Sequence, residues 1–148
     1  MDVRTMKAED LDQVGELSAQ LGYPIAAAEL AANQRRLGGD QDHCLLVASE
    51  GERILGWVHA HGVRLVFYRP FAEVGGIVVE ARIRKRGVGA ALMDGAETWA
   101  RRMGYREVRL RSAVEREDAH GFYQHLGYRR VRSHHTFAKD LWPTLGGS

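Results

Sequence analysis

Apolar residues at helical spacing mark three segments of this chain. Leu11, Val14, Leu17 and Leu21 form one stripe over residues 8–21, the recurrence expected of a helix with one buried face. Glu9, Asp10 and Asp12 suit the positive end of that helix, and Gly22-Tyr23-Pro24 stops it. Residues 26–37 predict a second, Ala-rich helix closed by Gly38-Gly39. Val88, Ala91, Leu92, Trp99, Ala100 and Met103 predict a long third helix, ended by Gly104-Tyr105. Between these lie strands. Residues 1–5 predict a short one, and 43–49 with 53–62 predict a hairpin about Glu50-Gly51-Glu52. Residues 64–71 are ambiguous, being aromatic, basic and broken by Pro70. Residues 72–79 form a strand ending in Ile77-Val78-Val79, and 107–113 alternate as another. Residues 117–126 predict a short helix closed by Gly127-Tyr128, and 129–141 one or two last strands. The order β-α-α-β-β-β-α-β-α-β predicts an α/β (α+β) fold, a mixed, mostly antiparallel sheet with helices on both faces.

The chain has 148 residues, 45% apolar and 27% charged. That is one ordinary domain with a real core, here expected to span residues 1–148 with 142–148 a loose tail. Cys44 is the single cysteine, so no internal disulfide and no C-x-x-C metal or redox pattern exists. The first residues lack the apolar stretch of a signal peptide, and no apolar run approaches the ~20 residues that cross a bilayer. A reducing, cytoplasmic setting is expected.

The net charge of +2 is unevenly spread: residues 1–52 carry −6 and residues 53–148 carry +8. Two ligands of opposite sign meeting on one domain would use such a division, though a solvated surface shows it too. The basic part contains Arg84-Lys85-Arg86-Gly87-Val88-Gly89, between a strand and a helix start. There, unpaired backbone N–H groups and the macrodipole favour an anion. Gly87 and Gly89 let the backbone come close, and Arg82, Arg84, Lys85 and Arg86 add charge. The expected ligand is a phosphate or pyrophosphate. A P-loop is excluded, and Gly87-Val88-Gly89-Ala90-Ala91-Leu92 puts Leu at the third glycine of a dinucleotide fingerprint.

With that turn the chain resembles the GNAT superfamily of N-acetyltransferases, whose [QR]-x-x-G-x-[GA] signature residues 84–89 meet. Ala119-His120-Gly121-Phe122-Tyr123-Gln124-His125-Leu126-Gly127-Tyr128 resembles a second family block, about 30 residues on. Phe137-Ala138-Lys139-Asp140-Leu141 looks like the family's last strand. Strong resemblance covers residues 72–141. It implies a GNAT-like acyl-CoA N-acyltransferase fold with acetyl-CoA as co-substrate. Backbone N–H groups from Arg86 to Ala90 would hold the CoA pyrophosphate, and Ile77, Val78 and Val79 would pair with the pantetheine arm like an added strand. Strands 72–79 and 107–113 would splay to admit the thioester. Arg116 stands where many members carry Asn, a usual cofactor contact.

Acetyl transfer needs a deprotonated amine, donors for the oxyanion and a proton for the leaving thiolate. The resemblance makes Tyr123 the candidate acid, against packing with a satisfied hydroxyl. It makes Glu73, fourteen residues before Gly87, the candidate base, against a plain rim carboxylate; Glu80 is a weaker rival. Val79 N–H is the implied oxyanion donor. His59 and His61 share a strand face and could line the acceptor pocket, one of them as a water-relayed base, but no carboxylate or cysteine completes a metal set with them or with His134-His135. No metal is expected. Cys44 reads as a small core residue, and Trp57 packs or faces an acceptor. The expected activity is transfer of acetyl from acetyl-CoA to a primary amine of a small molecule or peptide, by direct attack in a ternary complex. A non-catalytic acyl-CoA sensor on the same fold is the alternative. Nucleic acid is disfavoured for want of a motif; no membrane partner is expected, and a homodimer is compatible with the chain. The acidic N-terminal part, with Glu29, Asp40 and Asp42 as wall residues, favours a cationic acceptor.

Overall fold

A two-residue bend at Val66-Phe67 joins the two longest strands, and the sheet grows outward from that hairpin. In the computed structural model, which describes residues 1–83, 86–111 and 117–142, the strands are β1 Asp2–Thr5, β2 His43–Glu50, β3 Arg53–Leu65, β4 Tyr68–Val79 and β5 Val108–Leu110. The helices are α1 Leu11–Gln20, α2 Ala27–Gly38, α3 Val88–Arg102 and α4 Glu117–His125. They fall into two compact units, Met1–Arg111 and Ser112–Ser148. In the first unit the sheet order is β1-β2-β3-β4-β5, antiparallel except for the parallel β4–β5 pair.

Segment 64–71 is the tip of the β3–β4 hairpin. Proline has no N–H to give a ladder, and Pro70 falls where the register slips between Val63 and Leu65. A second slip, between Ala48 and Ser49, sets β2 against β3 so that His43 faces His61 and Leu45 faces His59. Cross-strand partners share a side of the sheet, so residues 43, 45, 47, 57, 59 and 61 look the same way. α1 and α2 cover part of that side: Val14 and Leu17 pack with Val47, Ile54, Val78 and Met6, bordered by Leu11, Leu21, Leu30, Leu45 and Trp57.

α3 covers the other side through Leu92, Met93, Ala96 and Ala100, all buried. It comes close because two facing positions lack side chains. A Cβ on Gly95 would stand 2.8 Å from Leu46 Cδ1, and one on Gly56 would stand 2.7 Å from the Val78 carbonyl. At the far end of α3, Tyr105 donates to the Asp42 carboxylate and Trp99 Nε1 to the Gln41 carbonyl at 3.2 Å.

The entry to α1 is built on Asp10. Its carboxylate accepts from Arg4 at 2.8 and 2.9 Å and from the Lys7 N–H at 2.8 Å. The Arg4 guanidinium holds its carboxyl below the ordinary 3.8, against the opposing effect of burial. A 3-10 turn at Ala8–Asp10 therefore precedes α1, where the pattern predicted one helix from residue 8.

One expectation is corrected. The last strands expected over 129–141 do not form: residues 128–142 belong to no strand, including the Phe137-Ala138-Lys139-Asp140-Leu141 run. Alternation makes a strand only where a neighbour takes its N–H and C=O groups. Here Phe137 and Leu141 are 92% and 81% exposed. The other elements occur in the expected order, with ends displaced by a few residues.

Candidate active site

β4 carries the residues expected at the centre of the site. Its parallel pairing with β5 stops at Val74↔Leu110, and β4 continues to Val79. The Ala72 N–H donates across to the Glu107 carbonyl, and the Glu80 N–H donates the other way, to Leu55. N–H direction alternates along a strand, so the Ile77 and Val79 N–H groups point away from β3, toward the edge that β5 has left. Among the described residues no strand pairs with that edge beyond Val74, so an extended acyl arm could add to it.

After β4 comes a 3-10 turn, Ala81–Ile83, held by Glu80. The buried Glu80 carboxylate accepts from Gln20 Nε2 at 3.0 Å and from the Arg82 N–H at 3.4 Å. This Glu is engaged in fixing the turn. Arg84 and Lys85 lie outside the described residues, as does Arg116. Gly87 caps α3 in the left-handed region, φ +81°, with no side-chain cap and nothing within 4 Å of a would-be Cβ. Its carbonyl accepts from the Ala91 N–H at 3.0 Å. The first turn, Val88-Gly89-Ala90, therefore opens on free space with its positive end outward. Arg86 Nη2 stands beside it, 3.5 Å from Glu50 Oε2. The open space at Gly87, the positive end of α3 and the Arg86 guanidinium are compatible with a diphosphate ligand.

Glu73 lies opposite His61 on β3 and beside Arg109 on β5. Its Oε2 is 3.6 Å from His61 Nε2 and its Oε1 is 3.5 Å from Arg111 Nε. His61 belongs to a group of three rings. His43 Nδ1 and His59 Nε2 are 2.9 Å apart, and His43 stacks on both His59 and His61 at centroid distances of 5.2 and 5.6 Å. Burial, then the neighbouring His43 and His61, push His59 down to about 4. Among the described residues, no three His, Cys, Asp or Glu side chains are set to hold a metal. Burial pushes the Cys44 thiol up to about 11, so it is an unreactive core group on the α3 side. Trp57 packs over Gly76, and its buried Nε1 has no partner among the described residues.

Of the acidic wall residues, Asp42 is occupied by Tyr105 and by Arg64 at 3.8 Å. Asp40 is exposed, 3.9 Å from His43 Nε2, and Glu29 is exposed on α2.

Tyr123 belongs to the second unit. It is half-buried on α4, packed edge-on against Phe122 at 5.2 Å and Tyr128 at 6.3 Å, while its carbonyl accepts the Tyr128 N–H at 3.0 Å. His43 is the residue that the sequence pattern did not single out. Its only signal was a place near the start of the strand paired with the one bearing His59 and His61.

Residues 11–128 match the sequence profile of the Acetyltransferase (GNAT) family. The aminoalkylphosphonate N-acetyltransferase of Salmonella typhimurium is 30% identical over 146 residues, covering 95% of this chain and 91% of the relative. Among solved structures, aminoglycoside antibiotic 6'-N-acetyltransferase AAC(6')-IG from Acinetobacter haemolyticus superposes with a TM-score of 0.81 at 21% identity, covering 95% of this chain and 99% of that one. Aminoglycoside N-acetyltransferase AAC(6')-Iy, solved with CoA, gives 0.83 at 20% identity and 93% coverage of each chain.

Proposed function

Because this chain belongs to the GNAT acetyltransferase family and is an acetyl-CoA-dependent N-acetyltransferase, we propose that it acetylates a primary amine of a small molecule or peptide, by direct attack of that amine on the thioester in a ternary complex. The observation that carries this reading is the freed edge of β4. It runs from Glu73, where an amine would be deprotonated, to the uncapped turn of α3, where a pyrophosphate would sit.

The roles follow from the chemistry. A lysine-type amine has a pKa near ~10.4 and arrives as an ammonium. Glu73 takes a proton from it. Bound acetyl-CoA supplies the activated acyl group and the thiolate leaving group. The backbone of Ile77, Val78 and Val79 aligns the pantetheine arm, and the outward Val79 N–H donates to the oxyanion. The N–H groups of Arg86, Gly87, Val88, Gly89 and Ala90 hold the pyrophosphate, with Arg84 and Lys85 adding charge and Arg116 in the position of a usual cofactor contact. Tyr123, through its phenol O–H, protonates the departing sulfur. The reading places the enzyme in the cytoplasm, a setting that suits its single reduced thiol.

For the acceptor, the −6 charge of residues 1–52 favours a cationic molecule or a lysine-like amine. The Salmonella relative's name instead joins the amine to a phosphonate. A screen following thiol release should set these against each other: aminoglycosides, polyamines, amino acids, lysine peptides and aminoalkylphosphonates. Acetyl-CoA turnover with a primary amine is the expected result. Turnover with none of these classes would overturn the reading.

A further inference from the structure

We propose that His61 relays the acceptor's proton from Glu73 to solvent, acting through Glu73 rather than on the substrate. The proposal rests on the reading of Glu73 as the base.

Proton balance demands such an exit. An ammonium and a thioester give an amide, a thiol and one free proton. Of the two protons the nitrogen loses, one ends on the CoA sulfur and the other must leave. Glu73 must discharge that proton before the next turnover. Of its two named neighbours, Arg111 at Oε1 has no basic lone pair to offer. His61 at Oε2 has one. Its Nδ1 lies 3.2 Å from the Gly62 carbonyl. A carbonyl only accepts, so Nδ1 carries the hydrogen and Nε2, on the Glu73 side at 3.6 Å, is the open base. A small rotation or one water closes that distance. The imidazole takes the proton at Nε2, the carboxylate is regenerated, and the imidazolium releases the proton to solvent, to which the His61 side chain is 27% exposed.

The other rings explain why His61 is the one to charge. His59, from β3, is buried and held neutral; His43, from β2, is bonded to it at 2.9 Å. His43 also lies over His61 with an interplanar angle of 21°, a stacked pair with no ring hydrogen bond of its own, which orients His61 without taking its proton. The charged groups around the three rings are Asp40 from the loop before β2, Glu73 from β4 and Arg111 beyond β5. From β4, Gly75 adds no side chain: a Cβ there would sit 3.7 Å from His59 Nδ1 and His61 Cδ2.

The test compares Glu73→Gln and His61→Ala with wild type, using acetyl-CoA and whichever of kanamycin, spermidine and aminoethylphosphonate turns over fastest. Glu73→Gln should lose about 10²–10⁴-fold in kcat/KM. His61→Ala should lose about tenfold or more in kcat, most at the pH values where the imidazole is neutral and least in acid, with the acetyl-CoA KM unchanged, and free imidazole in the buffer should restore much of the loss. A His61→Ala enzyme of wild-type kcat, or a deficit that imidazole leaves untouched, overturns the relay while Glu73 stands as base. A fully active Glu73→Gln overturns the base and the relay with it. If His61→Ala does not fold, His61→Gln carries the same comparison. NMR spectra of the histidine rings, independent of any acceptor, should show the His61 signals moving in Glu73→Gln; unmoved His61 signals overturn the coupling.

Discussion

Gly56→Ala is a one-carbon change that should reach both stability and cofactor binding. Gly56 lies between Ala48 and Val79 in the sheet, beneath the first turns of α3. Its new Cβ would stand 2.7 Å from the Val78 carbonyl, 3.1 Å from Leu92 Cδ1 and 3.3 Å from Val88 Cγ1. Leu92 is fully buried and the carbonyl is backbone, so neither yields by a rotamer change. Overpacking of this kind costs about 1–3 kcal/mol, offset by about 0.4–1 kcal/mol from a stiffer unfolded chain. The net loss should be about 1–2 kcal/mol, or about 2–8 °C in Tm for a chain of this size. Gly39→Ala, with nothing within 4 Å, should hold or slightly raise Tm. Since Val88 also opens the turn proposed to hold the pyrophosphate, displacement of α3 should weaken acetyl-CoA several-fold. Thermal unfolding and calorimetric titration measure the two effects. A Gly56→Ala protein with wild-type Tm and affinity would show that the strand and helix yield freely, and the close-approach argument would fail.

Gly87→Glu puts bulk and negative charge at the open cap of α3. It should weaken acetyl-CoA binding while the fold survives, and unchanged affinity in a folded variant would remove the phosphate site. Tyr123→Phe keeps the ring packing against Phe122 and Tyr128 and removes one proton; the maximal rate should fall by about 10²–10⁴ with cofactor affinity intact. A wild-type rate, with chemistry limiting, would make Tyr123 a packing residue. Asp10→Asn should cost about 1.5–3 kcal/mol at neutral pH, the range of a hydrogen bond to a charged group. Because the folded carboxyl titrates below the ordinary 3.8, that contribution is present above 3.8 and is lost as pH falls through the folded value. Denaturant titrations of both proteins should therefore converge only as pH is taken below 3.8 and through the folded value; a gap that persists in strong acid would mean the loss is not ionic.

The helices, the β2–β3 hairpin and the glycine turn were legible because each rests on local chemistry: a periodic stripe, a Gly51 at φ +60°, a Gly87 at φ +81°. The histidine group was not, and one residue explains why. Had Glu50↔Arg53 pairing continued unbroken, His43 would have faced Ala60, on the α3 side. The slip between Ala48 and Ser49 brings it opposite His61 instead. A one-residue change of register exchanges sheet faces, and the hydrophobic pattern of this β2, Cys44-Leu45-Leu46-Val47-Ala48, is apolar on both sides and does not report it. The missing last strand has the opposite cause. Its local pattern was sound, but strand formation depends on a neighbour, which no local pattern contains.

β4 shows how one irregularity serves chemistry on two fronts. Its pairing passes from Ala60↔Val74 to His59↔Gly76, so Gly75 is an extra residue. Before it, the Ala72 N–H points to β5; after it, the Glu80 N–H points to β3. In a regular strand those two even-numbered residues would point the same way. The bulge therefore turns the Val79 N–H outward to the vacated edge while Glu73 stays on the His61 side. The same residue separates the stretch that pairs with β5 from the stretch that does not. A single inserted residue thus turns the proposed backbone donor, Val79, outward while leaving the proposed base, Glu73, opposite His61 on β3, without any change in the strand order of the sheet.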